Sequence, residues 1–161
     1  MQMPQEIIVK IRVAEVAEAE AIVSLINAAF IVEKFFIDGD RIDLEQVRAF
    51  FQSGEFLVAE EGGSLAGCVD VDQRGERAYF GLLSIGPTRQ RSGLGSRLVA
   101  AAEEWALARG CRYMDLRVVD LREELPGFYR KRGYIEIGVE PFTADTLTIL
   151  PCHFVNMSKA L

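Results

Sequence analysis

The sequence predicts a mixed β-sheet of about seven strands with helices on both faces, an α/β or α+β domain. Three observations carry that expectation. Some stretches alternate apolar and polar residues, as IIVKIRV does at 7–13, while others place apolar residues at helical spacing, as do Val16, Ala19, Ile22, Val23, Ile26 and Phe30. In the middle of the chain, strand-like segments follow one another through glycine turns, which reads as an antiparallel meander. From Phe80 to Val119 the order is strand, helix, strand, a βαβ unit whose two strands are parallel neighbours. Periodicity alone leaves the choice between α/β and α+β open.

In chain order, Ile7 to Val13 reads as the first strand and Ala14 to Phe30 as an amphipathic helix. The segment IVEKFFIDGDRI, with an Asp38-Gly39-Asp40 turn signal, separates it from a second helix over about Asp43 to Gln52. Glu55 to Glu60 and Ser64 to Asp72 are strands joined by Glu61-Gly62-Gly63, which puts glycine where φ > 0 is wanted. A turn over Gln73 to Glu76 leads into a strand from Arg77 to Ile85. The next helix keeps Leu94, Leu98, Ala101, Trp105 and Ala108 on one face and ends at Gly110, well suited to a C′ position. Tyr113 to Val119 is a strand, and Glu123 to Arg132 a short helix that tolerates Pro126 in its first turn. Tyr134 to Val139 and Pro151 to Ser158 complete the sheet.

At 161 residues, half of them hydrophobic, the chain is long enough for one domain spanning 1–161 with its own core. No repeat or linker divides it. The formal net charge of -6 argues against a nucleic-acid partner, but the charge is uneven. Residues 87–132 hold ten Arg or Lys against six Asp or Glu, a surplus of +4; the remainder holds eight against eighteen, or -10. No apolar run reaches the roughly 18 residues of a membrane span, and the opening MQMPQEIIVKIRVAE lacks the features of a signal peptide, so a cytoplasmic protein without a membrane partner is expected. Cys68, Cys111 and Cys152 form no C-x-x-C pair and are expected to be buried, reduced thiols rather than metal ligands.

The chemistry concentrates between Phe80 and Gly110. A strand that feeds a glycine-containing loop into a helix N-terminus makes an anion site, because first-turn N–H groups lack intrahelical partners and the macrodipole adds positive charge there. Gly93 and Gly95 let the backbone approach phosphate oxygens. The loop does not match the nucleotide fingerprints: a G-x-G-x-x-G would need glycine at Leu98, and a P-loop lysine is missing. The pattern present is Q-x-x-G-x-G, as Gln90-Arg91-Ser92-Gly93-Leu94-Gly95, preceded by an apolar strand and Pro87.

That pattern resembles the acyl-CoA pyrophosphate loop, Q/R-x-x-G-x-G/A, of the GNAT superfamily of N-acetyltransferases. Some thirty residues on, Phe128-Tyr129-Arg130-Lys131-Arg132-Gly133-Tyr134 resembles the family's Y-x-k-x-G-F/Y segment. The resemblance implies a mostly antiparallel sheet with one parallel, splayed pair and acetyl-CoA as cosubstrate in the gap, with no metal. Backbone groups of Leu83, Ser84 and Ile85 would pair with the pantetheine arm, and Gln90, Arg91, Ser92, Gly93, Leu94, Gly95 and Ser96 would cradle the pyrophosphate, with Phe128 beside them. Tyr129 would be the general acid that helps the thiolate leave.

Two departures stand out. Many members carry Asn seven residues before the tyrosine, where this chain has Arg122, so the CoA contact falls to Arg122 or Asp120, with Asp120 equally a candidate to bind the acceptor or cap a helix. No Glu or His lies within Phe80 to Ile85 to act as base, so the proton would pass through water to a more distant group. The acceptor, expected to be an amine of a small molecule or peptide, would meet Glu33, Phe35, Phe36 and His153, although the aromatics serve equally as core and the histidine equally as surface. A homodimer is compatible with this arrangement. The competing readings are a non-catalytic acyl-CoA-binding module and an O- or longer-chain acyltransferase.

Overall fold

The computed structural model describes residues 8–142 and 148–161. Ile7, the predicted start of the first strand, and the opening residues before it lie outside the described residues. Seven strands, β1 (Val9–Val13), β2 (Glu55–Glu61), β3 (Ser64–Arg74), β4 (Arg77–Ile85), β5 (Tyr113–Val119), β6 (Ile135–Pro141) and β7 (His153–Ala160), form one sheet in the order β1-β2-β3-β4-β5-β7-β6. The helices are α1 (Ala19–Ala29), α2 (Leu44–Ser53), α3 (Leu94–Ala108) and α4 (Glu124–Arg130). All strand neighbours are antiparallel except β4 and β5.

Local chemistry accounts for the boundaries. The β2–β3 hairpin turns through Gly62 (φ 57°) and Gly63 (φ 82°), a pair of left-handed conformations that closes a tight hairpin without strain. Asp43 caps α2 in a reciprocal box: Gln46 N donates to Asp43 Oδ1 at 2.8 Å and Asp43 N donates to Gln46 Oε1 at 3.0 Å. Gly110 (φ 78°) ends α3, and Cys111 N donates back to Ala106 O at 3.0 Å, as a Schellman turn requires. The single helix expected over 14–30 is instead α1 flanked by 3₁₀ turns at Val16–Glu18 and Phe30–Glu33, which tighten both ends. The second of these turns rotates Glu33 inward, leaving it 4% exposed.

Both faces of the sheet are covered. On one face, Val69, Val71 and Phe80 pack against Leu94, Leu98, Val99, Ala102 and Ala106 of α3. On the other, Phe56, Val58 and Cys68 pack against Ile22, Leu25 and Ile26 of α1 and Val47 of α2. Each fully buried Leu, Ile or Phe contributes about 1.5–3 kcal/mol of transfer free energy, so the two clusters hold the sheet rigid beneath the site. The buried face of α3 is rotated from the expected one: Ala108 is exposed, and Trp105 lies half-buried, donating Nε1–H to Glu55 at 2.6 Å. Cys68 and Cys111 are buried as expected, whereas Cys152 is only partly covered; all three are free thiols. No helix among the described residues is long and apolar enough to cross a membrane.

Candidate active site

The parallel pair β4–β5 is hydrogen-bonded only from Arg77↔Tyr113 to Tyr79↔Asp115. Beyond that point β4 follows β3 as far as Ile85↔Gly67, and β5 follows β7 as far as Val119↔Phe154. The two strands therefore diverge, and the facing backbone edges beyond Tyr79 and Asp115 lack a ladder partner, which buried N–H and C=O groups require. The opening is a cavity of about 1140 Å³ that passes from the α3 face of the sheet to the α1 face. One extra residue in β4, between Gly81 (opposite Asp70) and Ser84 (opposite Cys68), makes a β-bulge and leaves Leu82 at φ 54°. A left-handed leucine is strained, and this one sits at the mouth of the wedge. Beyond the bulge Leu83 and Ile85 line the cavity, while Ser84 is 1% exposed and its hydroxyl turns away to donate to Leu82 O at 2.8 Å.

On the α3 face the cavity ends at the glycine loop. Gln90, Arg91, Ser92, Gly93, Leu94, Gly95 and Ser96 all line it, as does Phe128. Gly93 caps α3 in the left-handed region (φ 80°), and the first i→i−4 bond runs from Arg97 N to Gly93 O at 3.3 Å. The amides of Leu94, Gly95 and Ser96 thus precede the helical ladder, and the three residues line the cavity, as an anion site at a helix start requires. Arg132, from the turn after α4, adds positive charge. Its guanidinium stacks 3.6 Å from the Phe128 ring centroid and donates to Phe128 O at 2.6 Å and to the Ser96 hydroxyl. Its Nε is buried without a hydrogen-bond partner.

Tyr129 stands at the waist of the cavity on α4, 5% exposed and wedged among Phe80, Phe128 and Tyr134 with ring centroids 5.0–5.9 Å away. Burial pushes its phenol above the ordinary value, although Arg122 and Arg132 pull the other way, so the group keeps its proton at neutral pH.

On the α1 face the lining changes character. Glu33 accepts from Arg122 Nη1 at 2.7 Å, and Arg122 Nε donates to Glu124 at 2.7 Å. Burial raises the Glu33 carboxyl above the usual range against the pull of Arg122. Asp70, on β3 behind Gly81, is 2% exposed, with Oδ1 unpartnered; burial, and then repulsion from Asp72, pushes its carboxyl up to about 8. Arg41, Arg74, Tyr79 and Arg117 complete this basin.

Of the acceptor-side residues the sequence suggested, only Glu33 lies in the cavity. Phe36 is fully buried in a core cluster with Ile37, Val119 and Phe154, and Phe35 points outward at 53% exposure, because the 3₁₀ turn at Phe30–Glu33 rotates the pair out of the basin. His153 begins β7 on its outward-facing side, exposed, with Nδ1 3.4 Å from Asp120 Oδ2. Asp120 does not line the cavity either: its Oδ1 accepts from His153 N at 2.9 Å, so it latches β5 to β7. Nor does it cap α4, whose N-cap is Glu123. Among the described residues no cluster of His, Cys, Asp and Glu could hold a metal.

Sequence reasoning passed over Asp70, Arg41, Arg132 and the bulge. Asp70 carried a usable signal. It shares its strand face with Cys68, an apolar position, so that face is covered rather than solvated. The bulge left no such trace in the sequence, because Gly81-Leu82-Leu83 reads as plain strand.

Comparison with known proteins agrees with this geometry. Residues 19–134 match the model of the acetyltransferase (GNAT) family. An acetyltransferase of Pectobacterium atrosepticum is 32% identical over 79 residues, 49% of this chain and 56% of that protein, so the chain spans about half the length of the curated relatives it matches. Among solved structures, Ard1 from Thermoplasma volcanium is similar with a TM-score of 0.79 at 16% identity, covering 95% of this chain and 97% of that one. The ribosomal-protein-S18-alanine N-acetyltransferase from Escherichia coli is similar with a TM-score of 0.77 at 15% identity, covering 95% and 94%. At these identities the structural likeness speaks for the fold.

Proposed function

The chain belongs to the GNAT acetyltransferase family, and on that premise we propose that it moves an acetyl group from acetyl-CoA to an amine by direct attack in a ternary complex. The observation that carries this reading is the single cavity in which an unpaired strand edge, a helix N-terminus and a protonated tyrosine meet. The residues present suit acetyl-CoA. The free β4 edge offers amide partners for an extended chain, the Gly93–Ser96 backbone and Arg132 offer donors for phosphates, and Gly95 leaves open room, since a Cβ there would meet nothing closer than Phe128 at 3.6 Å.

When bound, acetyl-CoA supplies the acetyl group as an activated thioester. Backbone N–H groups at the bulge would stabilise negative charge on the thioester oxygen, a role suited to donors fixed by strand geometry. Asp70, with its carboxyl near neutral, would take the proton from the incoming ammonium, directly or through one water. The amine lone pair forms the new C–N bond as the C–S bond breaks, and Tyr129 would give a proton to the departing sulfur. The attacking nitrogen then gives its second proton to the tyrosinate, so of the two protons the ammonium loses, one ends on the thiol by way of Tyr129 and the other on Asp70, which releases it to water. Thiol release measured over a panel of amines and alcohols tests the assignment. Release with amines alone is expected; acetyl-CoA binding without release for any acceptor would mark a binding module instead.

A further inference from the structure

The charged groups lining the α1-face basin are mostly spoken for. Arg122 is paired with Glu33 and Glu124 at 2.7 Å each, Arg117 with Glu140 at 3.4 Å, Arg74 with Asp72 at 3.2 Å, and Asp115 with Arg77 at 2.7 Å. Besides Arg91 and Arg132 at the glycine-loop end, two lining groups take no part in any ion pair among the described residues: Asp70, beside the bulge, and Arg41, in the segment before α2. Arg41 is not a loose surface side chain. The next residue, Ile42, is 4% exposed and clamped to α1 by Asn27, which donates Nδ2–H to Ile42 O and accepts Ile42 N–H, both at 3.0 Å. The Arg41 guanidinium lies 5.4 Å from the Phe30 ring centroid and faces the cavity. Arg41 feels Glu33 and Asp70 feels Arg74 only at a distance, without a direct ion pair, and a partly buried cation and a buried acid so placed are both satisfied by a ligand that carries the two complementary groups.

We propose that the acceptor is an amine that also bears a carboxylate, its nitrogen directed to Asp70 and its carboxylate bound by Arg41. The inference rests on the acetyltransferase reading above and narrows it to a substrate class. The polarity follows from position: Asp70 backs Gly81 at the β4 bulge, where transfer would occur, whereas Arg41 belongs to the segment between α1 and α2, outside the sheet. An amine with no second charge would leave Arg41 unsatisfied, and a dicarboxylate without an amine would offer Asp70 no proton to take.

The test compares matched acceptors with wild type, Arg41→Met and Arg41→Lys. The pairs are an α-amino acid and its amide, an ω-amino acid and its decarboxylated amine, and tetrapeptides with an acidic or a neutral second residue. Wild type should favour the carboxylate-bearing member of at least one pair by roughly tenfold or more in kcat/KM, the scale of one charge-assisted hydrogen bond. The favoured pair tells a free amino acid from a peptide end. Arg41→Met should abolish that preference by raising KM for the carboxylate-bearing member selectively, and Arg41→Lys should restore part of it. Calorimetric binding of the same compounds to the CoA-loaded protein reads the subsite without turnover. Arg41-dependent carboxylate binding in the absence of any thiol release would overturn the transferase reading and keep the subsite. Equal binding and equal rates within every pair, or an equal loss for both members in Arg41→Met, would overturn the subsite and leave the transferase reading standing.

Discussion

The two ends of the cavity are built on different principles. The α3 end is made largely of backbone, the Gly93–Ser96 amides and the free edge of β4, with Arg132 laid across it. The α1 end is made of side chains drawn from separate segments: Glu33 after α1, Arg41 before α2, Asp70 on β3, Arg117 on β5 and Arg122 before α4. On the proposed function, the backbone end would recognise what every acyl-CoA shares and would tolerate sequence change outside its glycines. A side-chain site can be re-specified one residue at a time, as a site choosing its acceptor would need.

The sharpest way to break this division is at the waist between the two ends. Tyr129→Phe removes one hydroxyl and keeps the ring among Phe80, Phe128 and Tyr134, so folding and acetyl-CoA affinity should persist. If the hydroxyl serves the leaving sulfur, kcat falls by about 10²- to 10⁴-fold in steady-state thiol-release assays. An unchanged kcat would reduce Tyr129 to packing.

The backbone end is tested by Gly93→Val. Valine at φ 80° is strained, although no atom crowds the added Cβ, so the loop must reshape while the two cores stay intact. Calorimetry should report acetyl-CoA affinity weakened by roughly 10²-fold, with acceptor preference unaltered, because lost first-turn donors act on phosphate alone. A folded variant that binds acetyl-CoA as before would remove the loop from the site.

Asp70→Asn sharpens the other end. The folded carboxyl titrates at about 8, against about 3.9 in an unfolded chain, so between those values the native state holds a proton the unfolded state has released. Stability therefore declines as pH rises through that window. The asparagine variant should be the more stable protein above pH 8 by on the order of a few kcal/mol, with the difference closing toward pH 4. Wild-type kcat/KM should climb between pH 6 and 9 as the carboxylate forms, and the variant should lose roughly tenfold or more together with that rise. Parallel melting curves for the two proteins across the range would contradict the buried, proton-holding carboxyl.

The same division explains what could be read in advance. Gly93, Gly95 and Tyr129 are brought to the cavity by local spacing, so a motif of six or seven residues suffices to find them, and the meander follows from turns such as Gly62-Gly63. Phe36 was indistinguishable from a ligand contact, because its inward direction is set by a 3₁₀ turn that no periodicity signals. Asp70 and Arg41 meet only through the fold, and the bulge that aims β4 depends on register, which Gly81-Leu82-Leu83 does not encode locally.

The smallest effect expected is at His153, the only histidine, and it separates a residue near the acceptor end from one belonging to it. Its ring is half exposed and touches Asp120 through Nδ1 at 3.4 Å, while Asp120 is held independently by the His153 backbone N–H at 2.9 Å. Alanine keeps that N–H, so the latch between β5 and β7 survives substitution. An exposed pair of this kind contributes about 0–1 kcal/mol. His153→Ala should thus leave acceptor KM, kcat and the pH profile within about twofold of wild type and lower Tm by a few degrees at most. A loss of the rise between pH 6 and 9 in this variant alone would move the proton acceptor from Asp70 to His153, and with it the boundary of the side-chain end.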